Sequence, residues 1–208
     1  MQLLVEDLLA LTRAEGTRLD RKTVEMQKVV DTAVSSARAA YPERSIEVDD
    51  QCLRAAEVNG DPDRLHQVLM NLINNAFKHG GPEVDVVITL RENLDRIVLE
   101  VADNGKGMSE EDAARIFDRF YRADASRNRA GGGGSGLGLA ITKSLIEQHE
   151  GTITVETSPG EGATFVISLP LLHKVEEEAP AAGAKDKAKG KTAKSKTKSK
   201  GTKRGNKE

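Results

Sequence analysis

Apolar positions recur at helical spacing between Asp63 and His79, in the run DRLHQVLMNLINNAFKH, where Leu65, Val68, Leu69, Leu72, Ile73 and Ala76 share one face. The spacing predicts a buried helix, opened by Pro62 at its first position. Upstream, Val24 to Met26 predicts a short strand, Val29 to Ala40 a helix, Ser45 to Val48 an alternating strand after the break at Pro42, and Ala55 to Val58 a further extended segment. Downstream, strands over Val84 to Leu90 and Arg96 to Val101 are joined as a hairpin around Glu92 to Asp95. A helix carrying Leu139, Ile141, Leu145 and Ile146 follows a glycine run, and two strands, Thr152 to Glu156 and Thr164 to Leu169, flank the turn SPGEG. At the very start Leu4, Val5, Leu8, Leu9 and Leu11 form an amphipathic helix that fades near Gly16. Its stripe fits either the last helix of a bundle begun elsewhere or a helix folded back on its own domain.

Composition narrows this to one ordinary core: the chain has 208 residues, 38% of them hydrophobic, with no Trp, two Tyr and four Phe, so aliphatic side chains fill the interior. Cys52 is the single cysteine, which excludes an intramolecular disulfide and favours a reducing compartment. No apolar run approaches the roughly 18 residues that cross a bilayer, and the acidic start MQLLVEDLLA is unlike a signal peptide. The chain reads as soluble and cytoplasmic. Charge is split: Lys185 to Glu208 holds eleven Lys or Arg against Asp186 and Glu208, a net of +9, which leaves −11 on residues 1 to 184 against a total of −2. The tail has no apolar residue larger than Ala, so it reads as a disordered Lys-rich segment, either a polyanion binder or a solubilising appendage. Residues 173 to 184 read as linker.

Four stretches carry candidate chemistry. Asn71, Asn75 and Lys78 sit at i, i+4 and i+7, placing two amides and an ammonium on the helix face away from the core. Asparagine costs helix propensity, and an amide oxygen is a hard ligand suited to Mg²⁺. The segment DNGKGM, Asp103 to Met108, follows a strand and reads either as a tight turn or as an adenine seat, with Asp103 accepting from an exocyclic amine and Gly105 and Gly107 letting a flat ring approach the backbone. IFDRFYR, Ile116 to Arg122, holds Phe117, Phe120 and Tyr121, half of the Phe and Tyr in the chain, and reads either as a small satellite core or as a hinged lid whose Arg119 and Arg122 reach phosphate. GGGGSGLGLAI, Gly131 to Ile141, opens a helix at Gly136, Leu137 and Gly138, whose amides form an anion site; no GK[ST] follows, so it is not a Walker A loop.

In their order, an Asn-bearing helix, a DxGxG strand end, an FxRFxR segment, a Gly-rich helix start and a GxG hairpin closely resemble the N, F and three G boxes of the sensor histidine kinases, over roughly residues 57 to 171. LVEDLLALTRAEG resembles the end of that family's second dimerisation helix. The resemblance implies an α/β fold, an α+β two-layer sandwich in which a mixed sheet carries helices on one face, the Bergerat-type ATP-binding fold shared with gyrase, Hsp90 and MutL. It divides the chain into a dimerisation-helix remnant (1–16), the catalytic domain (17–172), the linker and the tail. It implies ATP and Mg²⁺ as cofactors, Asn75 as the metal ligand with Asn71 as companion, and Lys78 and Arg122 at the phosphates. Asp103 with Gly105 and Gly107 falls at the adenine, His79 where an aromatic lies against the base, and Gly134, Gly136, Leu137 and Gly138 at the phosphate-facing lid. Ala163 departs from the usual Thr or Ser after GxG, which loses a water-bridged contact to adenine or passes it to Thr164.

Hydrolysing members of the superfamily carry Glu where this chain has Asn71, and an amide cannot act as a general base. The resemblance therefore implies phosphoryl transfer to a histidine, with Asn71, Lys78 and Arg122 as the catalytic set. His66, His79, His149 and His173 lie in nothing like the acceptor motif, so the acceptor, a histidine-bearing dimerisation domain, is expected outside this chain, with a response regulator as the next partner and a homodimer in the full-length parent. The domain is then the cytoplasmic portion of a membrane receptor or a soluble split subunit. A nucleotide-regulated binding module without phosphotransfer is the competing class.

Overall fold

A computed structural model describes residues 18–123 and 135–172. In chain order it holds β1 (Lys22–Glu25), α1 (Met26–Ala40), β2 (Ile46–Asp50), β3 (Glu57–Gly60), α2 (Pro62–His79), β4 (Val86–Asn93), β5 (Arg96–Asp103), α3 (Glu110–Arg115), α4 (Gly138–Gln148), β6 (Thr152–Thr157) and β7 (Ala163–Pro170). The opening amphipathic helix, the linker and the Lys-rich tail lie outside the described residues.

Five strands form one mixed sheet in the order β2-β4-β5-β7-β6, parallel only between β2 and β4, while β1 and β3 pair as a separate antiparallel ribbon. Alternation along the strands sends Val86, Ile88, Leu90, Leu99, Val101, Ala163, Phe165, Ile167 and Leu169 to one face, all buried. α1, α2 and α4 cover that face, and the other carries polar pairs such as Arg91 with Glu100. The fold is thus the α/β sandwich with helices on one side of a mixed sheet. α2 alone buries Leu65, Val68, Leu69, Leu72, Ile73, Ala76 and Phe77. At about 1.5–3 kcal/mol for each large apolar side chain, this stripe is the main anchor of the layer.

Boundaries shift where tertiary partners decide them. The first helix starts at Met26 rather than Val29: Met26 is buried, and its N–H, which has no partner within the helix, continues the ribbon ladder to Ala56 O at 2.9 Å. The first strand accordingly lies earlier, at Lys22–Glu25. The β4–β5 turn is tighter than expected, only Leu94 and Asp95, since pairing runs on to Asn93 and Arg96 and Leu94 takes φ 55° to close it.

Candidate functional site

α2 is held at its start by Asp61, whose Oδ1 accepts from Asp63 N at 3.1 Å and Arg64 N at 3.2 Å, with Pro62 at a position that needs no donor. The three asparagines then divide. Asn74 accepts the Tyr41 hydroxyl at 2.8 Å beneath the Tyr41–Phe77 ring contact, so it serves packing. Asn71 donates Nδ2–H to Gly138 O and Thr142 Oγ1, both at 3.3 Å, which ties α2 to the start of α4. Asn75 is half-buried one turn further on, and Lys78 and His79 are exposed in the last turn.

At the end of β5, Asp103 is registered against Val86 on one side and Ala163 on the other, on the helix-covered face. Its Oδ1 accepts from Gly105 N at 2.9 Å. Burial pushes its carboxyl above the usual value, and the backbone N–H groups of Gly105 and Ala163 partly offset that. The neighbouring glycines, expected to clear room for a ring, also have a packing role. A Cβ at Gly105 would fall 2.5 Å from Gly80 Cα at the end of α2, and one at Gly107 would fall 1.9 Å from Ser158 O. Both glycines let main chain pack on main chain, which locks the strand end to α2 and to the β6–β7 hairpin.

The aromatic segment is built around the short helix α3, capped by Ser109, whose side chain accepts from Asp112 N. Phe117 meets the core ring of Phe165 edge-on with centroids 6.3 Å apart, and Lys143 of α4 lies 5.8 Å over Phe117. Tyr121 donates its hydroxyl to Asp112 at 2.7 Å, with Arg115 4.4 Å over its ring. The exposed Phe120 takes φ 62° and donates its N–H to Gly136 O at 3.0 Å. Arg122 lines an open depression together with Arg115, Asp118, Arg119, Phe120 and Tyr121. Gly136, at φ 75°, abuts the Phe120–Tyr121 backbone, and Leu137 is wholly buried, so both pin the entry of α4. Among the described residues a Cβ at Gly138 would meet nothing within 4 Å; Ser135 Oγ accepts from Leu137 N at 3.2 Å, and no side chain caps the N–H groups that follow. Those following N–H groups of α4 suit an anion. Gly134 lies outside the described residues.

The structure therefore brings Asn71 together with Gly138, and Asp103 with Gly105 and Gly162, while Gly107 packs on Ser158 and Gly162. Thr164 is a correction: it pairs with Ala102 and Glu156, between Ala163 and Phe165 that face the helices, so strand alternation turns it to the opposite side of the sheet from Asp103. Two contributors carry no mark in the sequence. Thr142 is fully buried and contacts Asn71; its place on the apolar side of α4 hides it. Tyr41 holds Asn74 from another element, which no local pattern reveals. The GxG hairpin is legible, and its Gly162, at φ 76°, lets Asp103 approach. Among the described residues no three His, Cys, Asp or Glu side chains gather as a metal cage. Amide oxygens beside an uncapped helix start suit instead a cation that keeps its waters and arrives with phosphates.

The model of the histidine kinase-, DNA gyrase B-, and HSP90-like ATPase family matches residues 60–173. The probable sensor histidine kinase TcrY of Mycobacterium tuberculosis (strain ATCC 25618 / H37Rv) is 42% identical over 169 residues, covering 81% of this chain and 35% of TcrY. Among solved structures, the mycobacterial sensor histidine kinase MprB has a TM-score of 0.64 at 28% identity, over 72% of this chain and 98% of that one. Full-length ShkA in complex with AMPPNP has a TM-score of 0.68 at 28% identity, over 81% of this chain and 35% of that one. The chain thus spans about a third of the length of the curated relative it matches.

Proposed function

This chain belongs to the histidine kinase-, DNA gyrase B- and HSP90-like ATPases, and from that premise we propose that it is the ATP-binding catalytic domain of a two-component sensor histidine kinase, passing the ATP γ-phosphate to a histidine outside this chain for relay to a response regulator. The observation that carries the reading is the meeting of the amide face of α2 with the start of α4, through Asn71, Gly138 and Thr142, while the strand end bearing the partly buried Asp103 packs through Gly105 on Gly80 at the other end of α2. Asp103 accepts from the adenine amine, and His79 lies against the base. Asn75 offers its amide oxygen to Mg²⁺ with Asn71 as companion, and Lys78, Arg122 and the N–H groups at the start of α4 meet the phosphates. Mg²⁺, when bound, neutralises charge on the triphosphate. Asn71 cannot take a proton, so the chemistry these residues supply is positioning and charge stabilisation rather than activation of water.

The acceptor comes from elsewhere in this reading, because none of the four histidines lies in anything like the family's acceptor motif. His149 is buried, with its Nε2 accepting from Asp61 N, and is closed to a phosphate. The relatives' names as sensor kinases support a histidine-bearing dimerisation domain and a response regulator as partners. No described helix is long and apolar enough to cross a membrane. The Lys-rich tail is proposed to bind polyanions: affinity should fall steeply from low to physiological salt and vanish on removal of residues 185–208, and binding unchanged by that truncation would sink the idea.

The central test is transfer of labelled γ-phosphate from Mg·ATP to a separately supplied acceptor hairpin, with Asn75→Ala and Asp103→Ala as controls. Acid-labile label on the hairpin, lost in both controls, supports the proposal. No label from protein that binds ATP refutes phosphotransfer and leaves the nucleotide-regulated module.

A further inference from the structure

The buried polar side chains among the described residues are Asp61, Thr142 and His149. Asp61 caps α2 and His149 joins α4 to that cap, which leaves Thr142 to explain. It lies in the second turn of α4 with no exposed surface, and its Oγ1 donates to Gly138 O at 3.0 Å. A hydroxyl has one proton, so this back-bond leaves only lone pairs for any other partner. Those lone pairs meet Asn71, whose Nδ2 is 3.3 Å from both Thr142 Oγ1 and Gly138 O. Each atom that α4 presents to Asn71 is thus an acceptor. The Asn71 carboxamide must turn its NH₂ toward α4, and its Oδ1 is the atom left for a ligand.

We propose that Thr142 is a positioning residue: by accepting from Asn71 Nδ2 it orients the Asn71 amide so that the oxygen, not the nitrogen, is offered to the Mg²⁺-bound triphosphate. This rests on the ATP-dependent reading above. Without the hydroxyl, Asn71 keeps a single 3.3 Å bond to Gly138 O, at the long edge of hydrogen-bond geometry. Its amide is then free to flip, and a hydrogen-bond donor faces a cation in part of the population. The same contact links the phosphate-facing end of α4 to α2, so a shift of α4 changes what Asn71 presents.

The test compares Thr142→Val, which keeps the shape, with Thr142→Ser, which keeps the hydroxyl, in the full chain. The readout is the factor by which Mg²⁺ tightens binding of a fluorescent ATP analogue. Thr142→Val is expected to lower that factor about fivefold, the worth of one ordinary hydrogen bond, and Thr142→Ser to hold it within about twofold of wild type. A packing role alone weakens binding equally with and without Mg²⁺, and an unchanged factor overturns the proposal. A second readout needs neither variant nor nucleotide. In wild-type protein the Asn71 side-chain NH₂ protons, followed by ¹⁵N–¹H spectroscopy, are expected to exchange with water more slowly than those of Asn75, and equal rates overturn the proposal. If wild type binds no ATP analogue under either condition, the ATP reading is what fails, while the amide spectrum still decides whether Asn71 is held.

Discussion

Replacing His149 with leucine tests how α4 is joined to the start of α2. His149 is 3% exposed, with Nδ1 2.7 Å from Leu145 O and Nε2 3.0 Å from Asp61 N. One proton arrangement satisfies both: Nδ1–H donates, Nε2 accepts, and the ring is neutral. Leu145 O keeps a second donor in His149 N at 3.2 Å, so leucine orphans one group, the buried Asp61 N–H, at about 1–3 kcal/mol. The ring also lies against Gly60, where an added Cβ would fall 2.8 Å from His149 Cδ2, and lost packing there brings the total to about 2–4 kcal/mol. In a thermal melt near neutral pH that is a fall of roughly 5–15 °C. Glutamine returns an acceptor and should recover part of it. Acid adds an independent signature, because burial, helped by Arg21 and opposed by the bond to Leu145 and by Asp61, holds the His149 pKa below 6.5. Below about pH 6.5 the unfolded chain takes a proton that the folded chain refuses, so wild type loses stability by up to about 1.4 kcal/mol per pH unit until the folded pKa is reached. His149→Leu lacks that component. Urea unfolding of both proteins from about pH 7.5 to 5 measures the difference. A leucine variant within about 0.5 kcal/mol of wild type, with the same pH slope, would refute the bridging role.

Two further outcomes follow from local geometry. Gly162→Ala should cost more than about 3 kcal/mol and remove nucleotide binding, because a Cβ there falls 1.9 Å from Asp103 O at φ 76°; Gly160→Ala, at φ 87° with nothing within 4 Å, should cost only about 1–2 kcal/mol in the same melts. The Cys52 thiol is pushed up to about 12 by burial and then by Asp50, so at about pH 8 its thiolate is only ~10⁻⁴ of the total, and alkylation of folded protein should run at least ~100-fold slower than of urea-unfolded protein, as mass spectrometry would follow.

Legibility tracked the range of the interaction that decides each feature. The stripe from Leu65 to Ala76 and the alternation of β7 are local, and both elements stand where periodicity put them. Met26 was missed because its partners, Ala56 O and the core, come from other segments. Gly105 and Gly107 were recognised as positions that reject a Cβ, yet what would strike the Cβ is protein backbone from Gly80 and Ser158, far away in sequence. Thr142 and Tyr41 carry no local mark, since a buried hydroxyl shows its purpose only when its partner on another element is in view.

Ala163 and Thr164 show how a single residue of register changes the chemistry. A hydroxyl at 164 would compensate for alanine at 163 only if the two side chains reached the same space. In β7 they cannot: Ala163 stands opposite Asp103 and Thr157, whereas Thr164 stands opposite Ala102 and Glu156, and consecutive residues of a strand face opposite sides. Ala163→Ser puts a hydroxyl beside Asp103, where one added hydrogen bond of about 0.5–1.5 kcal/mol raises affinity for an ATP analogue roughly 2- to 12-fold. Thr164→Ala removes a hydroxyl from the far face and should change that affinity less than about twofold. Calorimetric titration of both variants against the same analogue separates the faces. Weakening by Thr164→Ala as large as the gain from Ala163→Ser would mean that the ligand is reached from the far side of the sheet, and the assignment of the adenine end to Asp103 would fall with it.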